Sequence, residues 1–67
     1  MSEPMRAFAE AVREACVEAA LAAYEDAGVQ GLCAEGRWER AVDAVRTLDL
    51  GPLVRTLTDP GTAPGQQ

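Results

Sequence analysis

The chain has 67 residues and a net charge of −5, and it contains no histidine, lysine or asparagine. Its one serine, Ser2, stands beside Met1, so neither a histidine-based proton relay nor a serine nucleophile with a neighbouring base is available. Lysine, asparagine and the equally absent isoleucine share AT-rich codons, which leaves the missing histidine as the informative gap: it removes the commonest metal ligand and the side chain that titrates near neutral pH.

The first predicted helix runs from Glu3 to about Ala27. Ser2 is a suitable N-cap, Glu3 suits the positive end of the helix dipole, and Pro4 is tolerated in a first turn whose N–H groups lack partners. Alanine and glutamate dominate the segment, both strong helix formers, and Gly28 is the expected residue just past its end. Met5, Phe8, Val12, Ala15 with Cys16, Ala19 and Ala23 recur at three- and four-residue spacing as one apolar stripe. Val17, Leu21 and Tyr24 form a second stripe beside it, so this alanine-lined helix is expected to have two neighbours.

Residues 28–36, Gly-Val-Gln-Gly-Leu-Cys-Ala-Glu-Gly, read either as a continuation of the first helix or as a short connecting helix, Val29 to Glu35, closed by Gly36. The short helix is preferred, because each glycine inside a helix costs about 1 kcal/mol relative to alanine. A third helix is expected from Arg37 or Trp38 to Leu48 or Asp49, its buried stripe formed by Trp38, Ala41 with Val42, Val45 and Leu48. Gly51 and Pro52 end it, and Pro52 opens a further turn or two of helix through Leu53, Val54 and Leu57. The run after Thr58 has nothing to bury and is expected to be a flexible tail. The chain is thus read as one small all-α domain, residues 1–58, followed by a tail, 59–67.

A single core is marginal at this size, since a chain of roughly 60 residues buries only about 60% of its unfolded surface. Small natural domains usually add a disulfide, a metal or a second copy. The two cysteines, Cys16 and Cys33, are expected to be reduced thiols of a cytoplasmic protein: the N-terminus is acidic with no apolar signal region, and the longest apolar run is too short to span a bilayer. Two cysteines without histidine do not make a zinc site. Oligomerisation or a protein partner is the remaining route to stability.

All of the net charge lies in the first half. Up to Glu35, seven acids face two arginines, whereas from Gly36 onward four acids balance four arginines. An acidic surface repels phosphate backbones, which argues against direct nucleic-acid binding. Glu10, Glu14 and Glu18, with Glu25 beyond them, share one helical face. This face reads as a solvated acidic surface. Two functional alternatives are a decoy that imitates spaced phosphates in a basic groove, and a carboxylate metal site shared between copies, although such sites in bundles pair their acids with histidine. Trp38 reads first as the anchor of a small core and second as a binding hot spot. Tyr24 reads as an edge-of-core residue. Cys33 has Arg37 as the only nearby cation able to lower its pKa.

Residues 34–52 carry Gly36, an aromatic two positions later at Trp38, Ala41 three beyond that, and Pro52. This order resembles the turn and second helix of a tetratricopeptide-type repeat. The resemblance implies two antiparallel helices packed as a hairpin and hints at protein binding, since stacked copies in that family form peptide-binding grooves; here there is one copy. The expectation from the whole sequence is a non-enzymatic, acidic, helical interaction module without cofactor or metal. It binds a protein partner or itself as a homodimer, and neither nucleic acid nor membrane. Val17, Leu21, Tyr24 and Trp38 are the expected contact residues.

Overall fold

The structure, a computed structural model, describes residues 2–58. These residues form three helical segments, α1 (Glu3–Val29), α2 (Ala34–Arg46) and α3 (Gly51–Thr58), with no strand among the described residues. Both α2 and α3 pack on α1 and not on each other. The architecture is all-α, as expected: a helical hairpin in which a long helix is covered by a bent second arm. The tail expected over 59–67 lies outside the described residues.

The start of α1 follows its sequence signals. Ser2 is the N-cap, its hydroxyl accepting the Met5 N–H at 3.3 Å, and Pro4 sits in the first turn. The end does not follow them. α1 runs past Gly28 to Val29, and the residue with left-handed backbone is Gly31, φ 93°. The Leu32 N–H donates to the Ala27 carbonyl and the Gly31 N–H to the Gly28 carbonyl, both at 3.0 Å. These two bonds and the positive φ are the Schellman arrangement that closes a helix on glycine. The short connecting helix expected over Val29 to Glu35 is therefore not formed. Its first residue belongs to α1, Gln30 to Cys33 make the turn, and Ala34 to Gly36 open α2. A Schellman closure reverses the chain within four residues and leaves no room for another helix.

α2 begins earlier than expected and ends at Arg46. The Asp43 carbonyl accepts both the Thr47 N–H at 3.0 Å and the Thr47 hydroxyl at 2.9 Å. After this break, Asp49 Oδ1 accepts the Gly51 N–H at 2.9 Å and Pro52 enters the first turn of α3, which restarts the helix in a new direction.

The burial pattern of α1 explains why the arm is bent. From Ala11 to Gly28 the covered residues come in adjacent pairs repeating every four positions: Ala11 and Val12, Ala15 and Cys16, Ala19 and Ala20, Ala23 and Tyr24, Ala27 and Gly28. Four residues advance the wheel by about 400°, so the covered stripe drifts about 40° at each repeat and winds around the helix. Ridges of this spacing pack at steep crossing angles, near −50°. A straight partner crossing so steeply leaves the stripe after a few turns. After the break at residues 47–50 the arm continues as α3, which also packs on α1.

The core that results is very small. Ala27 (0% exposed) and Ala41 (6%) are the only buried residues among those described, and no larger side chain is enclosed. The Cα positions extend 45 × 31 × 14 Å. The Cα atoms of one helix span about 5 Å and packed helix axes lie about 8–10 Å apart, so the thinnest dimension is that of two helices in contact with no third layer over them.

Candidate docking surface

The seam between α1 and α2 is organised by Arg37. Its Nε donates to the Tyr24 carbonyl at 3.1 Å, and its guanidinium carbon lies 4.2 Å from the centroid of the Tyr24 ring. Gly28 makes the approach possible: a Cβ there would stand 2.6 Å from the same guanidinium carbon. At the turn, Arg40 donates to the Gln30 side-chain carbonyl at 3.4 Å, and Gln30 Nε2 donates to Asp26 Oδ2 at 2.8 Å. Tyr24 thus belongs to the hairpin seam, half-buried beneath an arginine.

The other expected contact residues are open to solvent. Val17 is 51% exposed, Leu21 59% and Trp38 64%. Each stands one residue beyond a covered position, and one residue is about 100° around the helix. Val17 follows Cys16 and Leu21 follows Ala20. On α2, Gly36, Arg37, Ala41, Val42 and Ala44 are covered, as is Leu48 just beyond it, and Trp38 and Val45 each stand one step past a covered residue. Of the buried stripe expected on this helix, Ala41, Val42 and Leu48 are covered, whereas Trp38 and Val45 are not. Small residues at 41 and 44 let the two helices approach closely, and a tryptophan in that seam would hold them apart. Trp38 is not a core anchor.

A shallow groove of about 550 Å³ runs along the outer side of α2, lined by Leu32, Trp38 and Val42 together with the charged groups of Glu39, Asp43 and Arg46. Val42 is half-buried at its floor. Glu39, Asp43 and Arg46 form no side-chain hydrogen bond or ion pair among the described residues, where the single ion pair is Arg13 to Glu10 at 3.1 Å. This groove is legible in the sequence only once the true seam is known, as the ridge one residue along.

Glu10, Glu14, Glu18 and Glu25 are all exposed on α1, with Glu10 engaged by Arg13. No group of three or more histidine, cysteine or carboxylate side chains able to hold a metal occurs among the described residues. No helix of those residues is long and apolar enough to cross a membrane. Both cysteines are free, Cys16 half-buried and Cys33 exposed. Cys33 is the N-cap of α2, and its thiol pKa is lowered. The cause is the pair of amides opening the helix, Gly36 first and Glu35 second, opposed by slight desolvation and by the charge of Glu39. Arg37, the cation expected to do this, is turned to Tyr24 instead.

Comparison with protein-family models, with curated proteins and with solved structures finds no match. The functional reading therefore rests on the surface itself.

Proposed function

We propose that this chain is a non-enzymatic protein–protein interaction module, an accessory or regulatory subunit that also self-associates. One observation carries the reading: among the described residues no side chain larger than alanine is buried, while Val17, Leu21 and Trp38 stand more than half exposed. Burying a Val, Leu or aromatic side chain is worth about 1.5–3 kcal/mol, and this chain leaves that free energy unused in isolation. Tryptophan on a half-apolar rim is the residue type that most often dominates a protein interface. Helical hairpins of the tetratricopeptide type, which residues 34–52 resemble, bind proteins through such faces.

The test is affinity capture of the tagged protein at moderate and at high salt, with L21E and W38A alongside. Apolar docking predicts a stoichiometric foreign protein retained at high salt and lost with either substitution, or a second copy lost with W38A. Capture that survives both substitutions overturns the assignment of these residues.

The exposed glutamate ladder favours a second reading, an acidic decoy for a basic groove. Consecutive members at 10, 14 and 18 lie about 6 Å apart along the helix at 1.5 Å per residue. Binding of that kind falls steeply with ionic strength, and loss of the partner at high salt selects it over apolar docking.

A further inference from the structure

We propose that the outer ridge of α2 is a two-fold dimer interface, with a second copy of this chain laid antiparallel across it and centred on Val42. The inference rests on the interaction-module reading and names the partner, the face and the register. Trp38, Val42 and Val45 recur at spacings of four and three, the apolar seam of an antiparallel helix pair, with Trp38 and Val45 exposed and Val42 half-buried between them. A closed two-fold contact requires that a residue i meeting j of the partner be matched by j meeting i. With the axis at Val42, Val42 meets its own copy and Trp38 meets Val45 of the other protomer, twice.

Charge selects this occupant. The same pairing sets Glu39 opposite Arg46 of the partner subunit, and Arg46 opposite the partner's Glu39, so each of these groups, without an intramolecular partner among the described residues, acquires one. A parallel pairing sets like charges at matching positions. Docking through the outer face of α1 sets acidic surface against acidic surface, because that helix carries six acids against two arginines. The contact spans one helix of 13 residues, about 20 Å at 1.5 Å per residue, which places it with the small, concentration-dependent interfaces.

The test is sedimentation equilibrium of the full chain over a wide range of concentration, with circular dichroism confirming that each variant keeps its helix. The wild type is expected to dimerise. E39R and R46E each turn two attractions into repulsions, and each is expected to weaken its homodimer about tenfold or more. Mixing the two variants is decisive. One protomer then presents arginine at both positions and the other glutamate at both, so a heterodimer at least as tight as the wild-type dimer forms although neither variant pairs well with itself. A helix merely damaged by the substitutions gains nothing on mixing. A wild type that dimerises with no response to either reversal overturns the register and leaves self-association standing. A wild type monomeric throughout, while still docking a foreign protein in the capture experiment, overturns the inference alone; failure of both experiments removes the interaction reading as well.

Discussion

Gly28→Ala is expected to change the sign of its effect according to what occupies position 37. Alanine is better than glycine inside a helix by about 1 kcal/mol, so the substitution is favourable where space exists. Position 28 has none, because its new Cβ would stand 2.6 Å from Cζ and 2.7 Å from a terminal nitrogen of Arg37. The guanidinium can swing away, but doing so abandons the Tyr24 carbonyl and the face of the Tyr24 ring. A partly buried hydrogen bond from a charged group contributes about 1.5 kcal/mol and a cation–π contact about 0.5–1 kcal/mol. The net expectation for G28A in the wild type is a loss of about 1 kcal/mol. In an R37A background the same substitution meets no guanidinium and is expected to stabilise by up to about 1 kcal/mol. The coupling between the two sites is therefore about 2 kcal/mol, measured by a double-mutant cycle from urea or thermal unfolding followed by circular dichroism. All four proteins must be compared at one protomer concentration, since self-association raises apparent stability. A domain of this size shifts its Tm by about 4–8 °C per kcal/mol, well within reach of the assay. If G28A stabilises both backgrounds equally, Arg37 does not clamp the seam and the account of the hairpin fails.

Other outcomes follow from single positions. G31A places a Cβ in left-handed backbone with φ 93° and is expected to cost about 1–2 kcal/mol in the same unfolding assay; a neutral result would show that the α1 closure is not held by glycine. Ala27→Val overfills a fully enclosed position and is expected to cost about 1–3 kcal/mol, whereas Ala22→Val, on the exposed side of α1, is expected to cost well under 1 kcal/mol. Iodoacetamide is expected to alkylate Cys33 well before Cys16 and with an apparent pKa below that of an unfolded-chain cysteine, as read by mass spectrometry across a pH series. Because the folded state holds the lower thiol pKa, folding releases a proton between the folded and unfolded values. Cys33 thus adds stability that is full above the unfolded pKa and disappears as pH falls through the folded one. Equal alkylation rates at the two cysteines would refute the role given to the α2 amides.

The parts of the fold that local chemistry determines were legible in the sequence. Ser2 capping α1, the alanine-rich length of that helix, and Pro52 in the opening turn of α3 all rest on interactions within a few residues, although α2 stops at Arg46, short of the expected Leu48 or Asp49. The end of α1 was not. Three glycines, at 28, 31 and 36, lie close together, and which of them takes left-handed backbone depends on where the second arm packs. Gly28 looks like a helix terminator, yet its missing side chain serves Arg37 from across the seam. The same holds for the contact residues. Tyr24, Val17 and Leu21 share an apolar stripe on paper, but only Tyr24 is drawn into the seam. Apolar periodicity shows that a helix has a sticky side; it does not show which of two adjacent ridges the neighbour covers.

That choice between ridges links the fold to its use. A seam through Trp38 and Val45 would bury more apolar area in one hairpin, yet α2 is covered along Arg37, Ala41 and Ala44 and leaves both exposed. Close approach favours the alanine seam, because Ala41 is buried and the covered stripe of α1 is itself mostly alanine. Arg37 adds a charge-assisted bond that a tryptophan seam would lack. The consequence is a hairpin tightly registered by small residues and one arginine, with its larger apolar side chains turned outward. Such a protein gains little from its own core and much from contact, so its folding and its binding draw on the same apolar surface. Substitutions on the outer ridge of α2 should therefore leave the isolated hairpin's packing intact while lowering its apparent stability at high protomer concentration, and the size of that loss should grow with concentration as mass action requires.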